Sequence, residues 1–228
     1  MAQSDTVERI LDAAEALFAE KGFAETSLRT ITSRAGVNLA AVNYHFGSKK
    51  VLIQAVFSRF LDPFSKQLSQ ALDNVEAQWH EKTLSLEELL KLLFQQILSV
   101  ESRGKNDLSI FMRLLGLAFS QTQGHLRKYL ESVYGDTFRR YIELVVRAAP
   151  GLPKEELFWR INFMLGSVAF TMSGLDALRA IAEAEYGEHP NIPVILERMV
   201  PFLASGMRAD VPTLTSSHPS SEQTAFDT

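Results

Sequence analysis

The sequence is restrictive first in what it lacks. None of its 228 residues is a cysteine, which excludes disulfide bonds, thiol catalysis and zinc fingers together. It has no apolar run long enough to span a membrane, and its first residues, Met1–Thr6, are polar and lead into an amphipathic pattern, so we expect no signal peptide. No segment alternates apolar and polar residues with enrichment in β-branched types, so we expect no sheet. These absences predict an all-α cytoplasmic protein.

Acidic residues are absent from positions 26 to 61, although the whole chain has a net charge of −4. The overall negative charge argues against a general polyanion binder, so any contact with nucleic acid must be local. The charged residues in this stretch are all basic: Arg29, Arg34, Lys49, Lys50 and Arg59. A basic segment at one end of an acidic chain is the charge distribution of a DNA-reading head on a body with another task.

Periodicity and capping residues divide the start of the chain into helices. Apolar residues recur at helical spacing from position 7 to position 18, and Gly22 suits the end of this first helix. Thr26 or Ser27 can cap a second helix, which Gly36 stops. The first two helices are therefore predicted to end at glycines.

A third and a fourth helix follow at once. Asn38 can cap a third, very short helix that reaches about His45, and Gly47-Ser48 breaks the chain after it. Ser48 can cap a fourth helix, and Pro63 either bends that helix or begins a new one. The second and third helices, joined by a glycine turn, form a helix-turn-helix.

The N-terminal half of the third helix is small and polar, which lets a recognition helix lie deep in the major groove. Ala40 and Ala41 suit contact with thymine methyl groups, while Asn38 and Asn43 can hydrogen-bond base edges. The side chains suited to phosphate contact, which sets the register on DNA, are Tyr44, His45 and Lys49. The full set of expected DNA-binding residues is Thr26, Ser27, Arg29, Asn38, Leu39, Ala40, Asn43, Tyr44, His45 and Lys49.

Alternatives to DNA contact differ in weight along this segment. A third helix that only packed against a core would need more large apolar residues than Leu39 and Val42. Arg29 and Arg34 suit either DNA contact or ordinary solvated surface. Phe46 is expected in the core, where it closes the head onto the fourth helix.

Five short segments carry a recognisable combination. They are Ile10-Leu11-Asp12-Ala13-Ala14, Leu17-Phe18, Lys21-Gly22-Phe23, Ala35-Gly36-Val37 and Tyr44-His45-Phe46-Gly47-Ser48-Lys49. Over roughly residues 5 to 60 the chain closely resembles the TetR family of bacterial transcriptional regulators. Asn43 stands where the family often has Tyr, which should alter what the helix touches rather than whether it binds DNA.

The resemblance implies a two-part regulator, whose head reads DNA and whose all-helical body binds a small molecule and dimerises. The residues Val42-Asn43-Tyr44 and the long C-terminal body are similar to the TetR subgroup that senses long-chain fatty acids or their thioesters. That second similarity implies an elongated apolar effector that releases the protein from DNA. The operator, the regulated genes and the direction of regulation are outside what these residues specify.

The pattern stays helical beyond residue 64. We predict helices near 64–78, 85–101, 107–121, 124–148, 154–184 and 191–207. The breaks include Gly104 and the run Pro150-Gly151-Leu152-Pro153. Beyond Asp210 the chain is rich in Ser, Thr and Pro and is predicted to be disordered. The predicted domains are a helix-turn-helix domain at 1–50, a helical effector-binding and dimerisation domain at 51–209, and a tail at 210–228.

The middle helices are rich in Phe and Met, which favours a deformable apolar interior. Given the resemblance, the expected ligand-binding residues are Phe111, Met112, Arg113, Leu115, Phe119, Asn162, Phe163 and Met164. Arg113 and Asn162 would hold a ligand carboxylate or carbonyl only if they point inward. The alternative for every member of this set is an ordinary helical core.

Two apolar stripes near the end of the chain predict a dimer interface of four helices. One stripe is Leu157, Ile161, Leu165 and Val168, and the other is Ile192, Ile195, Met199 and Leu203. A dimer presents two recognition helices roughly 34–36 Å apart, or a small multiple, so the operator should be an inverted repeat.

Two other functions compete with that of a ligand-responsive regulator. An enzyme is disfavoured because the five histidines lack metal-ligand spacing and no glycine loop could cradle a phosphate, so we expect neither catalysis nor a cofactor. An architectural or partner-binding DNA protein with the same head and no effector remains the alternative, and a ligand-sized pocket in the body would discriminate against it.

Overall fold

The computed structural model describes residues 2–77, 84–100, 107–121 and 124–212, and within these ranges all regular structure is helical. Ten helices are described there. They are α1 (Ala2–Glu25), α2 (Leu28–Ala35), α3 (Leu39–Phe46), α4 (Lys49–Ala77), α5 (Leu86–Ser99), α6 (Asp107–Ser120), α7 (Gly124–Ala148), α8 (Lys154–Ser173), α9 (Leu175–Tyr186) and α10 (Ile192–Arg208). The prediction of an all-α fold with an N-terminal helix-turn-helix is confirmed.

The first predicted glycine stop is a break inside α1. Gly22 has φ 80° and ψ 170°, outside the helical region, and the chain resumes helical geometry as far as Glu25. Thr26 then bridges the break, because its hydroxyl donates to the carbonyls of Leu17 at 3.1 Å and Gly22 at 2.8 Å. The break therefore has its own polar support.

The caps of α2 and α3 follow the prediction. Ser27, and not Thr26, caps α2 by accepting from the Thr30 amide at 3.1 Å. Gly36 ends α2 in the left-handed region at φ 63°, where a side chain would be strained. Asn38 caps α3 by accepting from the Ala41 amide at 2.8 Å.

The helix after α3 is longer than predicted. The separate helix expected near 64–78 is wrong, because α4 continues through Pro63 to Ala77. A proline in a helix interior costs about 3 kcal/mol, since it removes a hydrogen bond and crowds the preceding turn. Phe60, Phe64 and Leu68 are all buried around Pro63, and their burial offsets that cost.

The single helix predicted over 154–184 is also wrong. The chain bends by 72° between α8 and α9, with Gly174 at the corner. A Cβ atom at Gly174 would lie 3.3 Å from the Phe170 carbonyl oxygen, so glycine suits this corner. Apolar residues continue at helical spacing through the corner, so the sequence pattern does not predict the bend.

Other predicted boundaries differ little from the helices, while Gly104 and residues 213–228 of the predicted tail lie outside the described residues. The domain division stays a prediction, and its boundary after residue 50 falls in the first turn of α4. Among the described helices, no single one is long and apolar enough to cross a membrane. The bent pair α8–α9 meets that test only when taken together, by length and composition.

A column of aromatic rings joins the head to the body. Ring centroids lie 5.3 Å apart for Phe18 and Phe23, 6.2 Å for Phe23 and Phe57, and 5.9 Å for Phe57 and Phe111. Phe60 stacks on Phe111 at 4.1 Å. The column passes from α1 through α4 to α6, so one continuous apolar core supports both parts of the chain.

Helix α7 runs parallel to α4 and is held to it by a polar seam. Tyr134 donates to Asp62 at 2.6 Å, and Ser65 donates to Thr137 at 3.1 Å. At the far end Arg140 pairs with Asp73 at 2.7 Å. Three levels of hydrogen bonds thus fix α4 along the body.

Candidate nucleic-acid interface

One side of α3 is buried and the other is open. Val42 is fully buried and Phe46 closes the head onto α4, as expected for its core position. Ala40, Asn43 and Tyr44 are exposed on the opposite side, with Tyr44 77% exposed. This helix has eight residues, and one side of it packs on the core. The other side is free to enter a major groove of DNA.

The first residues of α3 are divided between the cap, the core and solvent. The Asn38 side-chain oxygen is occupied by the Ala41 amide, which leaves its amide nitrogen as the group able to donate to a base. Ala41 is half-buried against the core and less available for a thymine methyl than Ala40. Leu39 is exposed at the edge of the same face.

Two of the three DNA-binding residues expected at the start of α2 are accessible to solvent. Ser27 and Arg29 are exposed. Thr26 is fully buried and its hydroxyl is spent on the break in α1, so its assignment to DNA contact is corrected to a structural role. Thr26 and Ser27 are both residue types that cap helices, so the sequence could not indicate which of them caps α2.

The basic segment is less uniformly available than its sequence suggests. Arg59 is only 10% exposed and pairs with three carboxylates of α1, Glu8 at 2.9 Å, Asp12 at 2.6 Å and Glu15 at 2.7 Å. Arg34 pairs with Glu20 at 2.9 Å on the surface. The acids that precede the basic segment in sequence fold back onto it, so Arg29, Lys49 and Lys50 carry most of its accessible charge.

Lys49, Tyr44 and His45 lie where α3 passes into α4. The Lys49 ammonium group is half-buried and lies 3.4 Å from the Ala24 carbonyl oxygen. Burial lowers the pKa of Lys49, and nearby Glu25 opposes that effect. The Tyr44 and His45 rings meet edge-on at 5.0 Å. A phosphate placed next to this partly desolvated ammonium group would form a charge-assisted hydrogen bond with it.

The expected ligand-binding residues do not converge on one site. Phe111 and Met112 are buried in the core, and Leu115 and Met164 are half-buried. Phe119 and Phe163 are largely exposed.

Neither expected polar anchor points inward. Arg113 is exposed and donates to the Ser173 carbonyl at 3.3 Å. Asn162 donates to the Phe158 carbonyl one turn earlier in its own helix, at 2.8 Å. Each side chain donates to a backbone carbonyl, so neither has the inward orientation that an anchor for a ligand carboxylate requires. The expectation that these two residues bind a ligand is therefore corrected.

The dimer stripes stay a prediction, and much of each faces the chain's own body. Val168 and Leu203 are buried, and Leu157, Ile161 and Leu165 are half-buried. The exposed side of α8 instead carries Trp159, Phe163 and Phe170, spaced four and seven residues apart, and α10 adds Phe202. These four side chains are here called the aromatic face. Helix α8 is apolar on two sides, so periodicity alone could not choose between them.

A groove of about 380 Å³ runs within the aromatic face between α8 and α10. Its lining residues are Ser167, Phe170, Thr171, Ile195, Arg198, Met199 and Phe202. Arg160, a buried residue of α8, donates to the carbonyls of Met207 at 2.9 Å and Ala209 at 2.7 Å. These bonds satisfy the end of α10 and fix it against α8.

Comparison with known proteins agrees with both parts of this architecture. Residues 91–206, slightly more than half of the chain, match the family described as "Tetracyclin repressor-like, C-terminal domain". Residues 10–56 match the family described as "Bacterial regulatory proteins, tetR family".

Relatives and a solved structure lie in the same group. The probable HTH-type transcriptional regulator YttP of Bacillus subtilis is 38% identical over 89 residues, 39% of this chain and 41% of YttP. SrpR of Pseudomonas putida is 26% identical over 64% of this chain and 61% of its own. This chain thus spans between about two fifths and three fifths of these relatives' lengths.

The structure of SmeT, the repressor of the Stenotrophomonas maltophilia multidrug efflux pump SmeDEF, has a TM-score of 0.55 and 21% identity. The match covers 89% of this chain and 90% of SmeT, and at this identity the likeness shows a shared fold. With both family models matched in order along one chain, the protein belongs to the TetR family of bacterial regulatory proteins and carries its helix-turn-helix head.

Proposed function

We propose that this protein is a repressor that binds an inverted-repeat operator as a homodimer and is released by an apolar effector. The observation that carries the proposal is the open face of α3, whose Ala40, Asn43 and Tyr44 are exposed above a fully buried Val42. The expected base contact is Asn43, whose carboxamide can bond an adenine edge with two hydrogen bonds. Lys49 and Tyr44 hold phosphates and set the register.

The homodimer is proposed to form through the aromatic face. Monomeric proteins rarely expose large contiguous apolar patches, and such patches mark interaction sites. Phe163, Phe170 and Phe202 are each more than three fifths exposed, on two adjacent helices fixed by Arg160. A two-fold axis through this face would align two heads on one side of the assembly.

The effector is proposed to be apolar, and long-chain fatty acids and their coenzyme A thioesters are the first compounds to test. The support is the family of the C-terminal domain and a core that contains buried Phe and Met side chains. The effector must bind the DNA-incompetent arrangement more tightly, because equal affinity for both arrangements shifts nothing. Movement of the far end of α4 would then change the spacing of the two heads.

The test begins with selection of duplexes from a random DNA library by the full chain. Asn43→Ala should cost roughly 1–3 kcal/mol at particular base pairs of the selected site. Lys49→Ala should weaken binding to every duplex and lower the salt slope by up to about one unit. Ser33→Ala, at an exposed position on α2, is the control.

Two results would count against the proposal. Equal losses of affinity for selected and random duplexes in the Asn43 variant would contradict base readout. Titration of the operator complex with C16–C18 acyl chains below their micelle concentration tests release. If no acyl chain or other apolar compound releases the protein, the effector-free architectural alternative is favoured.

A further inference from the structure

Helix α6 is attached at its start to the helix that carries most of the aromatic face. Ser109 donates its hydroxyl to the Met172 carbonyl, and Arg113 donates to the Ser173 carbonyl at 3.3 Å. Both acceptors lie in the last turn of α8. The start of α6 therefore has a fixed place relative to the surface proposed for pairing.

The other end of α6 reaches the break in α1. Gln121 follows the helix, and its backbone N–H donates to the Leu117 carbonyl at 2.9 Å. Its side-chain oxygen accepts from the Phe23 amide at 3.3 Å. Phe23 is 1% exposed, so its N–H would otherwise be buried next to the interrupted turn.

The approach of Gln121 depends on the glycine at that break. A Cβ atom on Gly22 would lie 2.7 Å from the Gln121 side-chain nitrogen, closer than atoms in contact allow. The positive φ of Gly22 turns the Phe23 amide out of the helix, and its missing side chain admits the carboxamide. The break and the glutamine therefore fit each other as donor and acceptor.

We propose that Gln121 is a positioning residue that fixes the angle of the head and thereby selects the spacing of operator half-sites. The inference rests on the proposed function of dimeric operator binding. Aromatic packing of Phe23 and Phe57 joins head and body without a preferred direction, whereas a hydrogen bond from backbone to carboxamide is directional. Head, α6 and α8 form one chain of contacts from the recognition helix to the pairing surface.

The experiment compares operators that differ only in half-site separation. The wild type selects its operator from a random library, and duplexes with the half-sites moved by one and two base pairs are then prepared. Gln121→Ala should lose roughly two- to tenfold in affinity for the selected spacing, as expected for one hydrogen bond. Its affinity for the altered spacings should change less, so the spacing preference flattens.

Two further variants separate positioning from stability. Gln121→Glu keeps the acceptor for the Phe23 amide and should retain the spacing preference, while Gln121→Met fills the space without an acceptor and should lose it. Ser120→Ala, whose hydroxyl bonds only the Leu117 carbonyl among the described contacts, is the matched control. Loss of thermal stability alone would lower binding to all spacings together and leave their ratio unchanged.

The outcomes distinguish the two proposals. If the wild type selects no inverted repeat, the proposed function fails and this inference falls with it. If the wild type prefers one spacing and both Gln121→Ala and Gln121→Met keep that preference, the inference is overturned while the proposed function stands. A flattened preference in these two variants, rescued by Gln121→Glu, supports it.

Discussion

Removal of one phenyl ring from the aromatic face should separate the proposed dimer. Phe202 is 68% exposed in the single chain, so pairing would remove roughly 100–170 Å² of its surface from water. At roughly 25 cal/mol/Å², each ring contributes about 2.5–4 kcal/mol, and an alanine retains only a small part of this. Two-fold symmetry counts the change twice, so Phe202→Ala should cost about 4–6 kcal/mol per dimer.

This cost corresponds to an increase in the dimer dissociation constant of roughly a thousandfold or more. Sedimentation equilibrium over a range of protein concentrations, without DNA, measures it directly. Phe119→Ala is the matched control, because Phe119 is 66% exposed but lies on α6 and is not one of the four residues of the aromatic face. A Phe202→Ala protein that pairs like the wild type, with a Phe119→Ala protein that dissociates, would refute the assignment of the interface.

Two other predictions concern charges at the junction of head and body. Arg59→Met should lower the free energy of unfolding by about 2–3 kcal/mol, a value discounted because the carboxylate partners of Arg59 are partly solvated. The same substitution should leave the salt slope of DNA binding unchanged. Urea titration measures the change in stability, and DNA binding at several salt concentrations measures the slope. Burial, aided by nearby Lys50, lowers the pKa of His125 below its ordinary value of 6.5, so the unfolded chain takes up its proton first and stability should fall as the pH drops below about 7. Urea titrations between pH 8 and pH 5 should show a smaller fall for His125→Gln, and an unchanged fall would contradict the burial of a neutral imidazole.

Local signals in the sequence were sufficient for the caps of α2 and α3. Ser27, Gly36 and Asn38 act within four residues of their partners, so their caps and turns follow from residue type and spacing. The buried positions of Val42 and Phe46 follow from the same helical period. The placement of the open face of α3 needed no long-range information.

Long-range contacts account for what the sequence could not predict. Arg59 lies 44 residues or more from its three carboxylate partners, and nothing local distinguishes it from a DNA-binding arginine. Arg113 lies in an apolar run but finds the end of α8, 60 residues away. The orientation of α8 is likewise a tertiary property, because both of its sides are apolar. Predictions failed where the partner of a side chain, or the buried side of a helix, depended on which distant helix packs against it.

The hydrogen bonds of Arg160 to the end of α10 also affect how quickly two chains would form the proposed dimer. Its bonds to the Met207 and Ala209 carbonyls hold α8 and α10 together within one chain, so the aromatic face exists before a second copy arrives. A surface that is already ordered loses little conformational entropy on docking, and no rearrangement has to precede a productive collision. Freshly folded chains would then associate at a rate set mainly by their concentration, which shortens the time that bare phenyl rings spend in water and limits competing aggregation.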